Sequence, residues 1–222
     1  MKRKEFVFPI ACIFIAAAVM LGFGGNMKRA MAPSGQKTVV IDPGHGGWDP
    51  GKAGKTGSDE KDINLDIAVE LGRLLESGGY MVFFTRKADE ALGGTKREDM
   101  KMRILTSDDF DADIFISIHQ NSFPSPKAKG AQVFYYDSSE KSRLLAECIQ
   151  ESLIENLDNT NTRTPKANRD YYILKNTKIP AAIIECGFLS NPEEEKNLNA
   201  DEYRKKAAWA VYLGIVQYFS LQ

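Results

Sequence analysis

The chain has only two histidines, and each follows an apolar run. Val39-Val40-Ile41 leads into Asp42-Pro43-Gly44-His45-Gly46-Gly47, and Ile114-Phe115-Ile116-Ser117-Ile118 leads into His119-Gln120-Asn121. Short β-branched and aromatic runs that stop this abruptly predict buried strands. Beyond the first run, Pro43 fixes a turn, and Gly44, Gly46 and Gly47 permit backbone conformations and close approaches that a side chain would block. In an open α/β sheet, ligand-binding side chains are delivered at the carboxyl ends of parallel strands. Imidazole is the commonest side-chain metal ligand. Two histidines in matched settings therefore predict a metal site.

Between and beyond these runs the pattern alternates. Ile63, Ile67, Leu71, Leu74 and Leu75 recur at helical spacing from Glu60, with Ser58 or Asp59 as the cap and Gly78-Gly79 as the stop. Tyr80 to Thr85 predicts a strand, and Glu98 to Leu105 a helix that feeds the His119 strand. Further strands are expected at Ala131 to Tyr136, Tyr171 to Leu174 and Ala181 to Ile184, the last ending at Glu185-Cys186-Gly187-Phe188. A helix from Ser138 to about Leu157 and a closing helix from Asp201 to Phe219 complete the series. In the closing helix Tyr203, Ala207, Trp209, Ala210, Leu213, Val216 and Tyr218 form a broad apolar stripe. Asn121 to Gly130 and Asp158 to Asp170 are polar, breaker-rich loops, the second without obvious core contacts and placed to cover a substrate. Such βαβ alternation predicts an α/β fold, a mainly parallel open sheet with helices on both faces.

At 222 residues there is material for one sizeable core, so one domain is expected. Twenty-nine Lys and Arg against 30 Asp and Glu leave a net charge of -1, which lacks the basic footprint of a nucleic-acid binder. Residues 1–36 are set apart from the fold. Lys2, Arg3 and Lys4 precede an almost uninterrupted apolar stretch of 18 residues from Phe6 to Phe23, an export signal or, preferred here, an uncleaved membrane anchor. The catalytic domain is then 37–222, outside the membrane, with membrane contact only through the N-terminal segment. Export permits a disulfide, but Cys148 in a helical pattern and Cys186 at a strand end are expected as small buried residues.

Catalytic zinc commonly keeps three protein ligands and one open position, and two histidines with one glutamate is among the known sets. His45 and His119 supply two. The third could be Glu60, Asp42, Asp49, Asp59 or Glu185, and spacing alone does not choose. Glu60 is favoured because the first turn of the next helix can be brought back to the His45 loop.

These residues carry a resemblance. VVIDPGHGG (39–47), Asp49-Pro50-Gly51, Glu60-Lys61-Asp62, Thr85-Arg86, ADIFISIHQN (112–121) and IECGFLSN (184–191) resemble, in order and over about residues 37–220, the zinc-dependent N-acetylmuramoyl-L-alanine amidases of the Amidase_3 type. The resemblance implies that His45, Glu60 and His119 bind one zinc ion and that Glu185 is the general base. It leaves Asn121 and Arg103 as candidate substrate contacts. Cys186, where the family often has a small polar residue, and Asp108, where an asparagine is usual, depart from its pattern. The implied reaction is hydrolysis of the amide between N-acetylmuramic acid and the L-alanine of the stem peptide. The outline, an anchor and a bare catalytic domain, resembles the short CwlD-type amidases of spore-forming bacteria, which prepare spore-cortex muramic acid for muramic-δ-lactam formation. Expected partners are peptidoglycan and, should the metal be weakly held, an accessory envelope protein.

Four rivals remain open on the sequence, one of them a zinc peptidase cutting within the stem peptide, which product identity would separate. A vegetative autolysin of the same family could share the outline. Glu60 and Glu185 could be a metal-independent glycosidase dyad, or the fold could be a non-catalytic wall-binding domain.

Overall fold

The computed structural model describes residues 35–222, so the expected N-terminal anchor lies outside the described residues except for Gly35 and Gln36. Six strands form one sheet in the order β2-β1-β3-β6-β4-β5: β1 (Thr38–Pro43), β2 (Met81–Phe84), β3 (Ile114–Asn121), β4 (Gln132–Tyr136), β5 (Lys166–Asn168) and β6 (Ala181–Phe188). β2, β1, β3 and β6 run parallel, whereas β4 is antiparallel to β6 and carries β5 parallel to itself. The helices are α1 (Glu60–Ser77), α2 (Lys96–Asp109), α3 (Glu140–Asn156), α4 (Tyr172–Asn176), α5 (Pro192–Leu198) and α6 (Asp201–Ser220). This is the α/β architecture expected, a mainly parallel sheet with helices on both faces.

Strand alternation divides the apolar residues between two cores. Val39, Ile41, Ile114, Ile116, Ile118, Ala182 and Ile184 face the larger, built with α1, α3 and α6. Val40, Phe115, Phe134 and Ile183 face the smaller, with Ile104 of α2 and Ile173 and Leu174 of α4. Strands buried on both faces need no polar alternation, which is why β1 begins as a continuous apolar run.

Three expectations are corrected. Tyr171 to Leu174 is not a strand, because Ile173 and Leu174 are both buried in the smaller core and only a helical turn puts adjacent residues on one side. The 158–170 loop does reach the core: Asn161 is buried, its Nδ2 donates to the Ala131 carbonyl at 2.8 Å, and residues 166–168 form β5. Trp209 leaves the apolar stripe of α6 and stands 45% exposed. Cys148 and Cys186 are buried free thiols. Among the described residues, no helix is long and apolar enough to cross a membrane.

Candidate metal centre and catalytic cleft

Along β1, β3 and β6 the residues that follow the smaller core in period two are Asp42, Ser117, His119 and Glu185. Register sets Asp42 beside Ser117 and His119 beside Glu185. β3 continues past His119, and the register shifts between His119 and Asn121, an irregularity of the kind that re-aims side chains next to active sites. Polar groups are thus collected on one face at the carboxyl end of the parallel strands.

His45 reaches the same place from the loop after β1, with φ 61° in the left-handed region. A non-glycine residue there costs on the order of 1–2 kcal/mol. Two arginines offset that cost. Arg86 donates to the carbonyls of Pro43 (2.9 Å) and Gly44 (3.0 Å), and Arg103 to those of Pro43 (2.8 Å) and His45 (2.6 Å). Three successive carbonyls are clamped by buried guanidinium groups.

Glu60 opens α1, whose first N–H groups are satisfied without a side-chain cap. Glu60 N donates to the Lys52 carbonyl (3.0 Å) and Lys61 N to that of Pro50 (3.2 Å), which docks the helix end on the His45 loop. The Glu60 carboxylate lies between the imidazoles, Oε2 at 3.2 Å from His45 Nε2 and Oε1 at 3.0 Å from His119 Nδ1. One donor atom from each of His45, Glu60 and His119 falls within 4.8 Å of the others. Backbone N–H groups of Lys52 (2.8 Å) and Gln120 (3.1 Å) also donate to Glu60. Burial would raise its pKa, but hydrogen bonds and charge from His119 and His45 hold it well below the carboxylate range. Burial likewise opposes charge on His119, and Glu60 overcomes it, so the His119 pKa is raised.

Asp49, a rival for the third ligand, instead accepts from His45 Nδ1 at 2.8 Å, which turns Nε2 towards Glu60. Outer-shell partners of this kind fix tautomer and ring orientation. Asp42 is paired with Arg103, and Asp59, at the N-cap position of α1, makes no side-chain cap bond; neither is in the cluster. The space is tight: a Cβ at Gly44 would lie 2.2 Å from His119 Cε1, and one at Gly51 (φ 73°) 2.6 Å from Glu60 Oε2. Two part-buried imidazole nitrogens and a buried carboxylate oxygen, with Asp49 orienting one ring, fit a catalytic zinc ligand set.

Glu185 stands apart from these three. It is 9% exposed, and its Oε2 has no hydrogen-bond partner. Burial, reinforced by the Glu60 charge and opposed by the two histidines, pushes its pKa up to about 7. A desolvated, unpartnered carboxyl in a cleft shared with His45 and His119 is what general acid–base chemistry at neutral pH needs. Glu60, by contrast, is 2% exposed and engaged through both oxygens, so it cannot be the proton donor of a glycosidase dyad.

Arg103 lines the apolar side of the cleft, and most of its side chain is spent on structural partners. The side chain is 3% exposed, and its guanidinium bonds Asp42 Oδ1 (2.7 Å), Asp99 and the loop carbonyls. Burial would lower its pKa; Asp42 and Asp99 outweigh that and raise it. Asp42 is completed by Ser117 (2.6 Å) and Thr85 (2.7 Å), and its pKa is lowered because Arg103 and these hydroxyls overcome its burial. Arg103 therefore positions the His45 loop. Asn121 does line the cleft, at its polar side, with Oδ1 accepting from Ser122 N at 2.8 Å. Sequence reasoning missed the part played by Arg86, although its place directly after a strand and beside Thr85 was a signal.

The sheet order, the residues at its carboxyl edge and the buried carboxyl place the chain among hydrolases of α/β fold. The profile of the N-acetylmuramoyl-L-alanine amidase family matches residues 39–217, and the chain belongs to that family. It is 39% identical to the germination-specific N-acetylmuramoyl-L-alanine amidase of Bacillus subtilis over 99% of this chain and 96% of that protein. It is similar to the CwlD amidase of Clostridioides difficile, solved in complex with the GerS lipoprotein, with TM-score 0.81 and 43% identity over 84% of this chain and 100% of that chain. The amidase AmiC2 of Nostoc punctiforme matches with TM-score 0.74 and 32% identity, over 85% and 99% of the two chains. The chain is a peptidoglycan amidase, a hydrolase.

Proposed function

We propose that this amidase is zinc-dependent, with His45, Glu60 and His119 as ligands and Glu185 as general base, and that it removes stem peptides from muramic acid in spore cortex as a step towards muramic-δ-lactam. The observation that carries the reading is the division of labour between carboxylates: Glu60 engaged between two imidazoles, Glu185 beside them and unpartnered. When bound, zinc supplies Lewis-acid chemistry, lowering the pKa of water from 15.7 towards ~7 and polarising a carbonyl.

The chain's own residues do the rest. His45 would present Nε2 and His119 Nδ1, the nitrogens that already face Glu60, and Asp49 keeps the His45 ring in that orientation. Glu185 takes a proton from the attacking water as the carbon–oxygen bond forms. It returns that proton to the alanine nitrogen as the carbon–nitrogen bond breaks, so the peptide leaves as a neutral amine. Burial raises the Glu185 pKa, which favours its holding the proton between the two transfers.

Residues 1–36 are the export signal or membrane anchor and 37–222 the catalytic domain, which places the site outside the membrane. The basic start and apolar run of the N-terminus support this. The similarity to a germination-specific amidase, and to an amidase solved with a lipoprotein, supports the cortex role and an accessory envelope protein as partner.

The test is to incubate the full chain, with and without added zinc, with cortex-type peptidoglycan and to identify products by mass spectrometry. Free stem peptides beginning with L-alanine, and peptide-free muramic acid, both lost with chelator, are expected. Cleaved glycan insensitive to chelator would refute the zinc reading. Equal turnover of vegetative wall would point to an autolysin.

A further inference from the structure

Two grooves meet at the candidate centre, sharing His45, His119, Glu185 and Lys96. One continues over apolar side chains, among them Met100, Tyr172 and Ile173; the other over Lys52, Gln120, Asn121 and Ser122. Glu60 and Asp49 border this junction, and of the cationic side chains that line the two grooves Arg103 is spent on Asp42 and Asp99, which leaves Lys52 and Lys96.

Lys96 has no structural task that accounts for it. It is the first residue of α2, where a positive side chain opposes the helix dipole and where acidic residues are favoured. Its side chain is 67% exposed. Among the described residues its ion-pair contact is a loose one, 3.6 Å from Asp49 Oδ2, an oxygen already held at 2.8 Å by His45 Nδ1. A flexible ammonium at the meeting point of both grooves, with its carboxylate partner shared, is free to take an anion from the substrate.

Resting on the amidase reading above, we propose that Lys96 is a specificity-determining residue that binds a free carboxylate of the stem peptide, within about two residues of the scissile amide. The reach fits, because Lys96 Nζ is two contacts from His45 and an extended peptide advances about 3.3–3.6 Å per residue. The peptide then lies along the polar groove, and the apolar groove receives the sugar and its lactyl and acetyl groups. Exposed ion pairs are screened by salt, so the selectivity should fade as ionic strength rises.

The probes are two synthetic muramyl peptides that differ only at the second stem residue, one with its α-carboxylate free and one with it as the carboxamide. The full chain, zinc-loaded, should cleave the acid with kcat/KM about three- to tenfold above the amide, mostly through KM. Lys96→Met should bring that ratio to about one, and Lys96→Arg should keep it. The ratio cancels any general loss of activity in a variant. Binding of the same two peptides to Glu185→Gln, measured calorimetrically, gives the acid-to-amide ratio without turnover. A wild-type ratio near one, or a preference that survives in Lys96→Met, would overturn the proposal. Binding selectivity without cleavage of either peptide would instead refute the amidase reading and leave the subsite standing.

Discussion

The two faces of the sheet are made by the same strands and do opposite work. On the α1, α3 and α6 side, Val39, Ile41, Ile114, Ile116, Ile118 and Ile184 are fully buried among other apolar groups. One residue away along each strand, the other face begins with Val40, Phe115 and Ile183 and ends with Asp42, Ser117, His119 and Glu185. The first face buries hydrocarbon, and shape alone decides its quality. The second buries charge, and among the described residues Glu185 Oε2 is its buried atom without a hydrogen-bond partner. Stability is thus concentrated on one side, which allows the other to hold a desolvated carboxyl in the state chemistry requires.

The largest effect should come from removing that carboxyl. Glu185→Gln is expected to lower kcat about 10²–10⁴-fold while zinc content, measured by elemental analysis, is retained. Its effect on stability has the opposite sign. In the metal-free chain the Glu185 pKa is raised from 4.5 to about 7, so the native state resists its ionisation and loses stability as pH climbs through that interval. Below pH 4.5 both states are protonated and the residue is neutral to stability. The Gln variant should therefore match wild type well below pH 4.5 and exceed it above pH 7, on the order of 3 kcal/mol, in denaturant titrations. A bound cation favours the carboxylate and should shrink the difference.

Next comes the buried ion pair between Arg103 and Asp42. Arg103→Met leaves Asp42 buried without its counter-charge and should cost about 3–5 kcal/mol in chemical denaturation. It also releases the His45 and Pro43 carbonyls, so zinc affinity should fall with it. If stability drops and affinity holds, Arg86 alone suffices to keep the His45 loop in place.

Which parts were legible follows from the same contrast. β1, β3, α1 and α6 announce themselves because burial imposes a period on long segments, and the histidines stand out because they interrupt that period. Short elements carry no period: α4 has five residues and β5 three, and their places are set by contacts with Ile104 and β4 that lie far away in sequence. The antiparallel direction of β4 leaves no mark on its composition. At the site, Glu60 and Asp49 were indistinguishable by spacing, and it is the docking of the α1 N-terminus on Pro50 and Lys52 that sets Glu60 between the imidazoles and leaves Asp49 behind His45. The structural part of Arg103 was not legible because its partners, Asp42 and the loop carbonyls, are some 60 residues upstream.

That separation is itself testable. Asp49→Asn keeps the size of the side chain and removes the charge that orients His45 Nδ1, so zinc affinity should weaken about 10–100-fold by competition with a chromophoric chelator. The fold should be almost unaffected, since Asp49 is near the surface. An unchanged affinity would mean that the loop clamp of Arg86 and Arg103 is enough to aim the ring.

The smallest effect tests whether the two faces are separable. Ile116 is fully buried in the larger core and sits on β3 three residues before His119, between strands that carry Asp42 and Glu185. Ile116→Val removes one methylene, which should cost about 0.5–1.5 kcal/mol of stability. Because its side chain points away from the site, zinc affinity and the pH dependence of turnover should match wild type. Should either move, packing on the apolar face sets the position of His119 through the strand itself, and the division between a stabilising face and a reactive one would fail at a distance of one residue.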